Sequence, residues 1–412
     1  MIKVGLENIS EYMHLFEGKR VGLITNPTGV DDHFRSTIDI LSEKVNLVAL
    51  FSPEHGIRGN VQAGVELEPY VDEKTKAYVY SLYGKTRRPT KEMLDILDVL
   101  FFDIQDVGTR YYTYLYTMAY AMSACAEYNK HFVVLDRPNP VDGIHVEGNI
   151  LNLDYRSFVG YYPILQRYGL TIGELAMLFN EEYGIKCQLD IVKMQGWTRK
   201  MDFLATGRHF VQPSPNIPTL ETMYHYLATC LFEGTNMSEG RGTTKPFSLI
   251  GAPWLKAEEV IEALNAYNLK GVAFRSQYFT PMFSKHQGIL CHGIELYLID
   301  KDLYEPVYTG YVLLDVIRHM HKEFEILNPY SGGRAPFISL LTGDRFASED
   351  GLTLEEIKKK LKQDKAAFTK IKERYHIYEL WHKSIDHWRE NWTTVDVWYR
   401  RGRYHWSCHS SD

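Results

Sequence analysis

The first 150 residues alternate short apolar runs with segments of helical spacing. Apolar runs at Lys19–Thr25 (KRVGLIT), Val45–Phe51, Ala77–Leu82, Val99–Ile104 (VLFFDI) and Phe132–Leu135 read as five strands. Between them, Asp31 and Asp32 start a short helix toward Leu41, and Thr90 caps a helix through Leu97. Tyr112 to Tyr128 again has helical spacing. Nearly continuous apolar strands joined by helices predict a buried, mostly parallel sheet, because helices must cover both faces. The expected fold class is therefore α/β, with a Rossmann-like domain over residues 1–150.

Past residue 150 the alternation breaks down. Thr171–Tyr183 (TIGELAMLFNEEY) is an amphipathic helix opened by a capping box of Thr171 and Glu174. Leu189–Met194 reads as a strand, and Gln212–Pro218 (QPSPNIP) as a stiff connector. A helix follows from Thr219 to about Phe232, then a polar, glycine-rich loop over Glu233–Phe247. Residues 271–299 look like strands and turns, and 308–324 and 353–374 like helices. Residues 151–380 are expected to form a second, smaller α+β domain with an interdomain cleft. Residues 381–412, rich in Trp, His and Arg, read as an appendage whose role the sequence does not disclose.

The strand ends carry the chemistry. The run through Phe51 stops at Pro53, and Glu54, His55 and Arg58 follow between Gly56 and Gly59. Asn26, Glu54, Asp106 and Asp136 each sit just past the carboxyl end of a different strand. In a parallel sheet those ends share one edge, where open α/β sheets bind ligands. Together with His55, Arg58 and Arg110 they predict a shared pocket, although Asn26 and Asp136 read more simply as a cap or turn former. No GxGxxG follows the first strand and no GxxxxGK[ST] occurs, so the architecture alone does not make a nucleotide binder.

Composition narrows the ligand class. A net charge of −6 argues against nucleic acid as the main partner, since phosphate binding needs a basic face. Twenty-nine tyrosines suit sugars and other amphipathic ligands, each offering a flat apolar body and a polar tip. Five scattered cysteines without a CxxC pair indicate neither a zinc site nor a disulfide framework. No HExxH spacing supports a metal at His55, Asp106, Asp136, His286 or His292, so neither metal nor cofactor is expected. No GxSxG occurs. No apolar run reaches membrane-spanning length, and no signal peptide is visible in MIKVGLENIS. As it stands the chain reads as cytoplasmic; a removed leader would make it periplasmic or secreted.

Three groups could carry a reaction. Glu54 has the position of a general acid or base. Glu147, in DGIHVEGN, could be the second half of a carboxylate pair, the usual machinery of glycoside hydrolysis. The loop from Glu233 to Thr244 sets Glu233, Asn236, Glu239 and Arg241 among glycines. There Arg241 could clamp a substrate carboxylate, and Asn236 could bind hydroxyls or an acetamido group.

The segments LITNPTGV, LFSPEHGIRG, FDIQDVGTRYYTY, VLDRPNPVDG with VEGN, QPSPNIPT and FEGTNMSEGRGTTKPF, in that order, resemble one bacterial family over about residues 3–380. It is the family of NamZ-type exo-β-N-acetylmuramidases of peptidoglycan recycling. The resemblance implies a Rossmann-like domain packed on a second α/β domain, with the active site in the cleft. It implies hydrolysis of terminal, non-reducing β-1,4-linked N-acetylmuramic acid from fragments such as MurNAc–GlcNAc, without a cofactor. Glu54 would be the acid/base and Glu147 its partner, or the reverse. His55, Arg58, Asp106, Arg110, Asn139, Asn216, Asn236, Glu239 and Arg241 would line the sugar subsites, with Arg58, Arg110 or Arg241 binding the lactyl carboxylate. A non-catalytic muropeptide-binding or sensing protein is the alternative. Many family members carry an export signal that this chain does not show, and the tail after about residue 380 lies outside the resemblance.

Overall fold

The computed structural model describes residues 1–53, 56–57, 69–84, 86–329, 333–345, 347 and 352–380. The expected appendage at 381–412 lies outside the described residues. Seven strands form one sheet: β1 (Arg20–Thr25), β2 (Asn46–Ser52), β3 (Tyr70–Val71), β4 (Tyr78–Ser81), β5 (Val99–Asp103), β6 (His131–Leu135) and β7 (Gln188–Val192). Their order is β3-β4-β2-β1-β5-β6-β7, parallel throughout except for the β3–β4 pair. The five strands expected in the first 150 residues are β1, β2, β4, β5 and β6. Strand β7 adds to the same sheet from beyond residue 150.

The period-two alternation of the central strands builds two apolar layers. Val21, Leu23, Val99, Phe101, Val133 and Leu135 point into one layer, under the N-terminal 3₁₀ segment Gly5–Leu15 and helix α1 (Thr37–Lys44). Ile24, Leu100, Phe102, Phe132 and Val134 point into the other. Strands β5 and β6 are buried at every position, which is why they read as continuous apolar runs. Helix α2 (Lys91–Asp95) starts at Thr90, whose side chain accepts from the Met93 N–H. Helices α3 (Tyr114–Glu127) and α4 (Ile172–Glu182) cover the second layer, α4 opened by the Thr171–Glu174 capping box.

The two polar residues read as turn or cap formers do that work. Asn26 Oδ1 accepts from the Thr28 N–H and hydroxyl, closing the turn after β1. Asp136 accepts from the Gly173 N–H and the Thr171 hydroxyl, tying the end of β6 to the start of α4.

A second, antiparallel sheet has the order β8-β10-β9, from β8 (Leu249–Ala252), β9 (Val272–Phe279) and β10 (Cys291–Leu298). Around it lie α5 (Leu220–Thr229), α6 (Ala257–Leu264), α7 (Pro306–Met320), α8 (Phe337–Thr342) and α9 (Leu354–Lys372). Helices α5 and α7 pack closely because Gly310 faces Ala228, where a Cβ would meet the carbonyl oxygen at 2.3 Å. The second apolar layer of the large sheet continues without a break into α5 and α7, joining Phe102 to Leu227, Val307 and Tyr311. Among the described residues, no helix is long and apolar enough to cross a membrane.

Candidate active site

Strand β5 ends at Asp103, and the chain turns through Gln105–Arg110 before entering α3. Three tyrosines at the helix entrance, Tyr111, Tyr112 and Tyr114, form one wall of a cavity of about 180 Å³. Ser214, Asn216 and Ile217 of the proline-rich connector form a second wall. Tyr226 of α5, with Glu233, Arg241 and Phe247 of the following loop, closes the third. The cavity thus lies between the large sheet and the second unit.

Edge-to-face packing fixes the aromatic walls. Ring centroids are 4.9 Å apart for Tyr112–Tyr114, 6.3 Å for Tyr112–Tyr226 and 4.6 Å for Tyr226–Phe247, with interplanar angles of 79°, 85° and 74°. Such pairs add roughly 0.5–1.5 kcal/mol each beyond their buried area. The Tyr114 hydroxyl donates to the Pro213 carbonyl at 3.2 Å, which anchors the connector to α3.

The charged groups form a chain of alternating sign. Glu233 Oε1 accepts from Arg241 Nη2 at 2.7 Å, and Arg241 Nε lies 3.2 Å from Glu239 Oε1. Lys285 Nζ, from the segment between β9 and β10, lies 2.8 Å from Glu239 Oε2. Burial pushes the Glu233 carboxyl above the usual carboxylate range, against the pull of Arg241. Burial also works against the Arg241 charge, but Glu233 and Glu239 outweigh it and hold the guanidinium ionised. Arg241 sits between Gly240 and Gly242, both at φ +81°. A Cβ on Gly242 would lie 2.6 Å from the Phe283 carbonyl oxygen, so the GRG sequence allows the close turn that presents this guanidinium.

The residues expected to line a sugar site separate into three groups. Asn216 and Arg241 line the cavity, and Glu239 is buried behind Arg241. Glu54, His55 and Arg58 lie outside the described residues. The remaining four bond the surrounding protein and do not line this cavity. Arg110 is fully buried and donates to four carbonyls, those of Asn149, Ile164, Leu341 and Thr342. Asp106 accepts from the Gly108 N–H at 2.8 Å and from the Tyr168 hydroxyl, and burial raises its carboxyl to about 7. Asn139 donates to the Leu170 carbonyl and accepts from the Val141 N–H. Asn236 bonds the backbone at Glu323 and Glu325.

Glu147, expected as half of a carboxylate pair, lies at the start of α7. Its Oε1 accepts from the Tyr308 N–H at 2.9 Å, in the first turn of α7, where Glu305 at the cap position supplies no side-chain bond. Glu147 thus caps a helix that has no cap of its own. It is buried, and burial raises its carboxyl to about 7. It is not among the residues that line the tyrosine cavity.

The RYYTY run signals the aromatic wall in the sequence, but nothing there signals its convergence with Tyr226 and Phe247. Lys285 carries no sequence signal, because its partners lie about 50 residues earlier.

Two family models match the chain. They describe the N-terminal part of the exo-beta-N-acetylmuramidase NamZ, over residues 21–221, and its C-terminal part, over residues 224–378. The peptidoglycan beta-N-acetylmuramidase NamZ of Bacillus subtilis (strain 168) is 52% identical over 384 residues, covering 92% of this chain and 91% of the relative. Two crystal structures of DUF1343 family proteins from Bacteroides fragilis NCTC 9343 superpose on the fold, each covering 92% of this chain and 99% of the other. One has a TM-score of 0.81 at 39% identity, the other 0.74 at 33%.

Proposed function

The chain belongs to the exo-β-N-acetylmuramidase NamZ family, and on that premise we propose that the tyrosine cavity is where its terminal sugar binds. The protein is a glycosidase, releasing terminal, non-reducing β-1,4-linked N-acetylmuramic acid from peptidoglycan fragments. The observation that carries the placement is Arg241, a guanidinium fixed in the wall of an otherwise aromatic cavity. N-acetylmuramic acid differs from N-acetylglucosamine by a lactyl ether, whose carboxylate is ionised at neutral pH. A planar cation is its natural partner. Arg110, the other described arginine considered for this role, is committed to backbone carbonyls.

In this reading the tyrosine rings pack on the apolar faces of the sugar, and Asn216 bonds its polar substituents. Glu54, two residues beyond the end of β2, is one carboxylate of the hydrolytic pair. The pair works as carboxylates do in glycoside hydrolysis: one protonates the departing oxygen, while the other activates water or attacks the anomeric carbon.

The test is a product assay on defined MurNAc–GlcNAc, read by NMR. Free N-acetylmuramic acid must appear, and its first-formed anomer reports inversion or retention. Glu54→Gln is expected to slow release at least ~10²-fold. An unchanged rate in that variant removes Glu54 from the mechanism.

A further inference from the structure

Glu147 bonds the first turn of α7 and does not line the tyrosine cavity, so the cavity's own carboxylates are the ones to weigh for the reaction there. Among the described residues, two carboxylates stand at the tyrosine cavity: Glu233 in its wall and Glu239 behind Arg241. Glu239 is only 2% exposed and is shared between Arg241 and Lys285. Glu233 differs: its side chain is 19% exposed, and only Oε1 is engaged, by Arg241. Among the described residues Oε2 has no hydrogen-bond partner. We propose that Glu233 is the proton donor to the leaving group in this cavity. The proposal rests on the reading of the cavity as the sugar site.

Charge counting supports the assignment. With every group ionised, Glu233, Arg241, Glu239 and Lys285 sum to zero. An entering lactyl carboxylate would make the cluster an uncompensated anion in a poorly solvated place. Protonation of Glu233 restores neutrality, so an acidic substrate readies its own proton donor. Burial already pushes Glu233 in that direction. Arg241 then has two functions: it meets the lactyl carboxylate, and through Oε1 it holds the carboxyl so that Oε2–H is left to donate.

The step balances without a cofactor. As the bond from the anomeric carbon to the bridging oxygen breaks, its electron pair stays on that oxygen, which takes the proton from Glu233. The sugar that leaves departs as a neutral alcohol. Water supplies the new hydroxyl at the anomeric carbon and gives up its proton to carboxylate, which restores the starting charges.

A proton donor is needed for a poor leaving group and dispensable for a good one. The experiment therefore measures kcat/KM of wild type and Glu233→Gln on two substrates, MurNAc–GlcNAc and an aryl β-muramide with an acidic phenol. Glu233→Gln is expected to lose at least ~10²-fold on the disaccharide and less than ~10-fold on the aryl substrate. Comparing both substrates on one preparation cancels any loss of folded protein. Equal losses on the two, or no loss on either, overturn the proposal. Failure of the wild type to release N-acetylmuramic acid from the disaccharide would instead overturn the placement of the function itself.

Discussion

Lys285 reaches Glu239 at 2.8 Å and also donates to the carbonyls of Phe232 and Thr235 at 2.7 and 2.9 Å. One side chain between β9 and β10 thus neutralises the buried carboxylate behind Arg241. It also satisfies carbonyls of the 3₁₀ turn that carries Glu233. Lys285→Met would leave Glu239 with Arg241 as its only described cation and would take a donor from the Thr235 carbonyl, at about 1–3 kcal/mol, while the Phe232 carbonyl keeps the Thr235 N–H and hydroxyl. Arg241 is expected to swing toward Glu239, away from the substrate. KM for MurNAc–GlcNAc should rise more than kcat falls. Steady-state kinetics on the purified variant check this, and a fall in kcat alone would contradict it.

Arg241→Lys keeps the charge but loses the planar fork that bonds Glu233 and faces the cavity. The expected outcome is a KM at least ~10-fold higher for MurNAc–GlcNAc, about 1.4 kcal/mol of binding. A substrate whose lactyl carboxylate is converted to the amide should erase most of the difference between the wild type and this variant. Equal losses on both substrates would mean that Arg241 does not read that carboxylate.

Glu147→Gln removes the charge from the cap of α7 and keeps its shape. Its amide oxygen can still accept from the Tyr308 N–H, and burial already disfavours the Glu147 charge, so stability should change by less than about 1 kcal/mol. The rate on MurNAc–GlcNAc should stay within ~10-fold of wild type. A loss of ~10²-fold or more in an otherwise folded variant would return Glu147 to the reaction.

Asp106 gives a pH signature. Burial holds its folded-state proton to about 7, above the 3.8 of a free aspartate. A carboxyl raised in this way stabilises the fold fully below the unfolded value, and that contribution fades as pH rises through the folded one. Between pH 5 and 7 the wild type should therefore lose stability relative to Asp106→Asn, whose side chain stays neutral. Above pH 7 the two curves should run parallel. Thermal unfolding of both proteins at pH 5, 6, 7 and 8 measures this directly.

The large sheet was legible because its strands are apolar at nearly every position, and only a sheet covered on both faces requires that. The site was less legible, for a reason visible in single residues. Arg110 and Arg241 both lie in polar segments that resemble ligand sites. One ends among carbonyls up to 232 positions away, and the other faces a cavity. Glu147 meets its helix 161 residues later. A polar residue after a strand either serves the ligand or satisfies distant backbone, and local sequence is the same in both cases. Asn26 and Asp136 could be read correctly because their partners are either near in sequence or at a recognisable capping box.

The unbroken apolar layer from Phe102 to Tyr311 has a mechanical consequence. Swinging the two sheets apart would expose that layer to water, which opposes a wide, jaw-like opening. The same burial favours a fixed spacing of the cavity walls. A rigid slot of this kind selects by what fits its end. That suits an enzyme that trims one sugar at a time from the tip of a chain and leaves the interior of the polymer untouched.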